Sequence, residues 1–208
     1  YQVYFSAYSL TCNYSLPLPQ FISRWSVDSL TITPYTICLA YTSGGTYSGT
    51  IDWGDGNISA NTYANKCHTY SSSSATYTVT ISGEITGWNF LSTEYAGFYN
   101  NSIIEVLQWG PLRGGYTSNE RMFYNCINLS ATNVSDIINL SNITSLESMF
   151  QGCISLTTVN SINSWNVSSI TNMGGMFNSS YNFNQSLSGW NVSNVTSMNS
   201  MFSSTINF

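Results

Sequence analysis

The chain has 208 residues, of which Asp, Glu, Lys and Arg make only 6% and sum to a net charge of −5. A soluble domain usually carries about 25% charged residues; here serine (36), asparagine (24) and threonine (22) stand in their place. Four Lys plus Arg supply no basic stripe for nucleic acid or an anionic membrane. No run approaches the roughly 20 apolar residues of a membrane span, yet 42% hydrophobic residues suffice for a packed core.

In chain order, residues 1–20 form an N-terminal extension. There Tyr1, Val3 and Phe5 alternate with Gln2, Tyr4 and Ser6 ahead of Pro17 and Pro19, a pattern suited to a donor strand or an extra strand. The chain begins at Tyr1 rather than Met, which reads as a processed or excerpted piece of a longer precursor. Residues 21–85 read as a compact β-sandwich, with strands expected at Leu30–Thr33, Thr46–Trp53 and Tyr77–Ile81. Between them, Asp52-Trp53-Gly54-Asp55-Gly56-Asn57 has the composition of a tight turn. Residues 86–121 read as a connector and as the N-terminal cap of a repeat region.

Residues 122–208 carry that internal repeat. Met-Phe recurs at Met122-Phe123, Met149-Phe150, Met176-Phe177 and Met201-Phe202, spaced by 27, 27 and 25 residues. Trp165-Asn166-Val167-Ser168 returns as Trp190-Asn191-Val192-Ser193, Met173 as Met198, and Asn182-Phe183 as Asn207-Phe208. A period near 25 with a few fixed apolar positions predicts a leucine-rich-repeat-like solenoid whose coils bury those positions against one another. The fold class expected is therefore mainly β: a sandwich followed by a solenoid.

Of five cysteines, Cys38 and Cys67 flank candidate strands and are the favoured disulfide, with Cys12 left in the extension. Cys126 and Cys153 share one repeat phase, which predicts a ladder of two buried thiols in preference to a bridge between coils. A serine-, threonine- and asparagine-rich, lysine-poor surface suits the outside of a cell.

The order of Phe21-Ile22 with Trp25, Leu30-Thr31-Ile32-Thr33, Asp52-Trp53-Gly54-Asp55-Gly56, His68-Thr69-Tyr70, Tyr77-Thr78-Val79-Thr80-Ile81 and then Trp-Asn-Val-Ser repeats resembles BspA-like leucine-rich-repeat surface proteins. Over residues 21–85 the resemblance implies a PKD-type, immunoglobulin-like domain. Over the whole it implies a secreted or surface-displayed, non-enzymatic protein of adhesion or assembly. Asn166 and Asn191 depart from it, standing where the family's repeats usually carry Asp.

Candidate sites are few. Asp52 and Asp55 could offer oxygens to calcium, but six to eight ligands are needed and turn chemistry accounts for both. A triad drawn from Asp55, His68 and a serine lacks a nucleophile-elbow motif, so no catalytic residue and no cofactor are expected. Asn-X-Ser/Thr occurs at Asn13, Asn57, Asn100, Asn128, Asn133, Asn139, Asn142, Asn166, Asn178, Asn184, Asn191 and Asn194. Each is either a glycan acceptor or, where the phase repeats, part of an inward asparagine ladder.

After Glu147 the chain has no charged side chain, so nothing there repels a second copy. Tyr1, Val3 and Phe5 at one end and Phe202 and Phe208 at the other are the candidate assembly residues. The function expected is a secreted filament built head to tail from copies of itself. The alternatives are a monomeric adhesin whose repeat face binds a host protein or glycan, and a non-catalytic module of a larger secreted enzyme.

Overall fold

The computed structural model describes residues 18–27, 35–71, 75–91, 100–114 and 121–208. The chain is mainly β, and the described residues contain no α-helix. The strands are β1 (Gln20–Ser26), β2 (Tyr35–Cys38), β3 (Thr50–Asp52), β4 (Ile58–Ala60), β5 (Cys67–Tyr70), β6 (Thr76–Ser82), β7 (Ile85–Trp88), β8 (Ile103–Gln108) and β9 (Leu112–Gly114). Single 3₁₀ turns lie at Tyr63–Asn65 and Ile162–Ser164. The expected strand at Leu30–Thr33 falls outside the described residues, as do Tyr1, Val3, Phe5, Cys12 and Asn13.

Five strands form one sheet in the order β4-β3-β6-β1-β8, while β2 pairs with β5 and β7 pairs with β9. In β1 the period-2 alternation buries Phe21, Ser23 and Trp25 and turns Arg24 outward. The strand expected from Thr46 to Trp53 is regular only at Thr50–Asp52, with an isolated bridge from Tyr47 to Ile85. Gly49 breaks it: its φ is +95°, and a Cβ there would stand 2.1 Å from the Ser82 carbonyl oxygen. The two chain segments cross at Gly49 and Gly83 too closely for any side chain. β6 matches its expected position, one residue longer at each end.

From β8 onward the chain winds into stacked coils, residues 105–129, 130–156, 157–183 and 184–208. β8 belongs to both parts. On one side it pairs antiparallel with β1; on the other it opens the first coil and bridges in parallel to the second, Glu105 to Ser130. Further parallel bridges join Ala131 to Val159, and Ser145 to Asn172 to Ser197. The Met-Phe turns add a second ladder, in which the amides of Phe123, Phe150 and Phe177 donate to the carbonyls of Met149, Met176 and Met201 at 2.9 Å.

Phe123, Phe150, Phe177 and Phe202 stand in single file, each ring stacked on the next with centroids 5.7 Å apart. The core is one continuous cluster running from Phe21 to Met201. Trp88, Phe90 and Trp109 pack on Phe123, so the sheets close the near end of the phenylalanine file.

Candidate functional site: the coil edges and the open end

The contacts that recur from coil to coil are uncharged. Each coil after the first places a small hydrogen-bond donor three residues after its phenylalanine, and that donor reaches the phenylalanine carbonyl of the coil before. Cys153 Sγ donates to Phe123 O at 3.0 Å, Ser180 Oγ to Phe150 O at 2.5 Å and Thr205 Oγ1 to Phe177 O at 2.7 Å. Thr171 and Thr196 repeat the device elsewhere, their hydroxyls each donating at 3.1 Å to Thr144 O and Thr171 O. Asn160, Asn182 and Asn194 donate through Nδ2 to carbonyls one coil earlier, at 2.7–2.8 Å, and Asn128 does so to Asn101 O just ahead of the first coil, at 2.9 Å.

Residues 184–208 keep this pattern on the side that faces the third coil. In the third coil Trp165, Val167, Ile170, Met173, Phe177 and Phe183 are all buried. Their counterparts 25 residues on are open: Val192 is 41% exposed, Met198 44% and Phe208 53%, while Trp190, Val195 and Phe202 are half-buried. Of the candidate assembly residues, Phe202 and Phe208 thus sit together on this face, their rings stacked at 4.0 Å.

Cys38 and Cys67 lie directly opposite each other on β2 and β5 and are joined by a disulfide. Cys126 and Cys153 are free and fully buried in the coils. Burial pushes both thiols well above their ordinary range, so they remain protonated donors.

Asp52 and Asp55 stay in the turn, with their oxygens engaged. Asp52 Oδ1 accepts the Gly54 amide at 2.9 Å, and Asp55 accepts the Asn57 amide and its side-chain Nδ2, both at 3.1 Å. Asp55 Oδ2 also meets His68 Nε2 at 2.8 Å, and the His68 ring lies flat on Trp53 and edge-on to Tyr70. Burial works to raise the Asp55 pKa, but the hydrogen bonds from His68 and Asn57, with the attraction of His68, outweigh it and hold the carboxyl below its ordinary value. Among the described residues no group of three or more His, Cys, Asp and Glu gathers to hold a metal ion.

The structure sorts the Asn-X-Ser/Thr sites. Asn100 is a correction: it is 5% exposed, with Nδ2 donating to Tyr124 O at 2.7 Å, so a glycan has no room there. Asn57, Asn128, Asn133, Asn139, Asn142, Asn166, Asn184, Asn191 and Asn194 are exposed, and Asn178 is half-buried. The repeated phase Asn139, Asn166, Asn191 is no inward ladder. Each accepts the amide two residues on, from Ser141, Ser168 and Ser193, as an outward local turn.

Two features are not evident from the sequence alone. The Cys-Ser-Thr donor rung shows there only as two cysteines, although Cys126, Cys153, Ser180 and Thr205 share one phase and are all small donors. The second is Asp136, whose two carboxylate oxygens cap the amides of Trp109 and Gly110 at 2.7 and 2.8 Å. It pins the β8–β9 turn to the second coil, and nothing local in the sequence marks that pairing.

Residues 117–208, essentially the coil stack, match a family model described as Mycoplasma protein of unknown function, DUF285. No curated protein matches the chain. No solved structure matches it either.

Proposed function

We propose that the coil stack is a leucine-rich-repeat-type solenoid, that the N-terminal sheets form an immunoglobulin-like sandwich of PKD type, and that the protein is a non-enzymatic extracellular structural protein whose copies join head to tail. The observation that carries this reading is that the coils join through a repeated set of apolar rings and neutral donors, a contact that one copy can offer another as it does between its own coils. A face already shaped to receive an apolar layer gains stability when one arrives, roughly 1.5–3 kcal/mol per large side chain fully covered. No charge after Glu147 opposes the approach of a second copy. β4, the outer strand of the five-stranded sheet, exposes Ile58 and offers an edge for the opposite contact. A disulfide and a lysine-poor surface fit an oxidising, extracellular setting.

Light scattering and negative-stain electron microscopy across a concentration series test the proposal. Particles that lengthen with concentration, and that shrink to monomers in the Val192→Asp/Met198→Asp variant, are the expected result. A monodisperse monomer at every concentration overturns it.

A further inference from the structure

The coils share a polar edge just ahead of each Met-Phe pair, and in the third coil that edge is hollowed out. Ser148, Gly175 and Ser200 occupy one phase with φ of +54°, +62° and +55°. Serine serves this left-handed position twice, so the backbone does not demand glycine at 175. Before it stand Glu147, Gly174 and Asn199, and the local turn is again the same: Ser145 Oγ accepts the Glu147 amide as Asn172 Oδ1 accepts the Gly174 amide. A Cβ at Gly174 would come 3.1 Å from Asn172 Oδ1, and one at Gly175 would come 3.2 Å from Ser148 Oγ. Both neighbours are side-chain ends that can shift by a few tenths of an ångström. The glycine pair therefore shapes the surface and does not relieve the fold.

The result is an open groove of about 380 Å³ whose lining includes both Gly174 and Gly175. Arg121, Glu147 and Gln151 stand on the side of the earlier coils, Ser197 and Asn199 on the side of the last. Glu147 Oε1 is 3.9 Å from Arg121 Nη2, and its other oxygen accepts Asn172 Nδ2 at 2.9 Å. The guanidinium and the carboxylate offset each other, which disfavours a strongly charged ligand. No apolar side chain lines the groove, which disfavours a lipid or an aromatic ligand. Amides and hydroxyls that both donate and accept, set at the interval of the coils, suit a neutral chain of repeated hydroxyls.

We propose that this groove binds a neutral oligosaccharide lying across the second to fourth coils, with Gly174 and Gly175 giving its sugar rings close approach to the backbone. Neither Val192 nor Phe208 lines the groove, so it can be tested apart from self-association.

The full chain is applied to an array of neutral glucans, mannans and galactans with sialylated and sulfated glycans as controls. The comparison is the Gly174→Glu/Gly175→Ser variant, which fills the groove with the residues the second coil already carries in the same conformation. Retention of a neutral glycan, weakened by at least about tenfold in the variant at an unchanged Tm and kept in Val192→Asp/Phe208→Asp, is the expected result. Failure to retain any neutral glycan, retention of acidic glycans alone, or equal retention by the groove-filled variant overturns the proposal.

Discussion

Cys153 Sγ donates to the carbonyl oxygen of Phe123 across a coil boundary, at 3.0 Å, in the place that serine and threonine fill one and two coils later. The thiol is thus equivalent to a hydroxyl here. Cys153→Ser keeps the donor and is expected to change stability by less than about 1 kcal/mol, whereas Cys153→Val keeps the bulk, loses the donor and costs about 1–2 kcal/mol. Urea unfolding of the two variants decides it: a valine variant as stable as the serine one would show that the rung only fills space.

Phe150 is held between two parallel rings, Phe123 and Phe177, each 5.7 Å away. Phe150→Ala leaves a cavity in the middle of the file that coils fixed by backbone bonds on both sides cannot collapse, and is expected to cost about 3–5 kcal/mol. Phe202→Ala removes a half-buried ring from the last coil and is expected to cost clearly less. Thermal unfolding of the pair checks the order.

The Asp55 carboxyl is held below its ordinary pKa. A depressed carboxylate stabilises the folded state above its unfolded pKa, near 4, and that contribution is lost as the pH falls through the lower folded value. Stability is therefore expected to drop on acidification below about pH 4, and Asp55→Asn is expected to flatten the slope in that window while lowering stability at neutral pH. Urea midpoints measured from pH 2 to 7 test both signs.

The Cys38–Cys67 disulfide closes a stretch of 29 residues. Loop-closure arithmetic gives it roughly 3–4 kcal/mol of stabilisation through the unfolded chain. Cys38→Ala/Cys67→Ala is expected to lower the urea midpoint by that amount. A change near zero would mean that β2 and β5 stay ordered without the bond.

Much of the coil region was legible because stacking forces one residue type to recur in one phase: a phenylalanine out of file would meet no ring above or below it. The register of 27, 27 and 25 residues reports the geometry directly. The hollow at Gly174-Gly175 carried a similar signal, since Glu147-Ser148 and Asn199-Ser200 occupy its phase, but glycine invites a reading as turn chemistry. The outward turn of Asn139, Asn166 and Asn191 was hidden because an asparagine column serves equally well facing in or out. Least legible were the contacts made by distant segments. The crossing at Gly49 and Gly83 that shortens β3, and the capping of Trp109 and Gly110 by Asp136, depend on residues about 26–34 positions apart with no shared pattern.

β8 carries hydrogen bonds to β1 along one side and to the second coil along the other. Arg24 from β1 and Asn133 from the second coil meet on its Glu105, at 3.0 and 2.8 Å. The molecule accordingly has no seam at which it can be cut into independent halves. A fragment starting after β1 would present β8 as a bare edge, with a buried acid stripped of its cation. A load applied between the two ends would have to shear both ladders together, so extension should show a single rupture and not the separate release of two units.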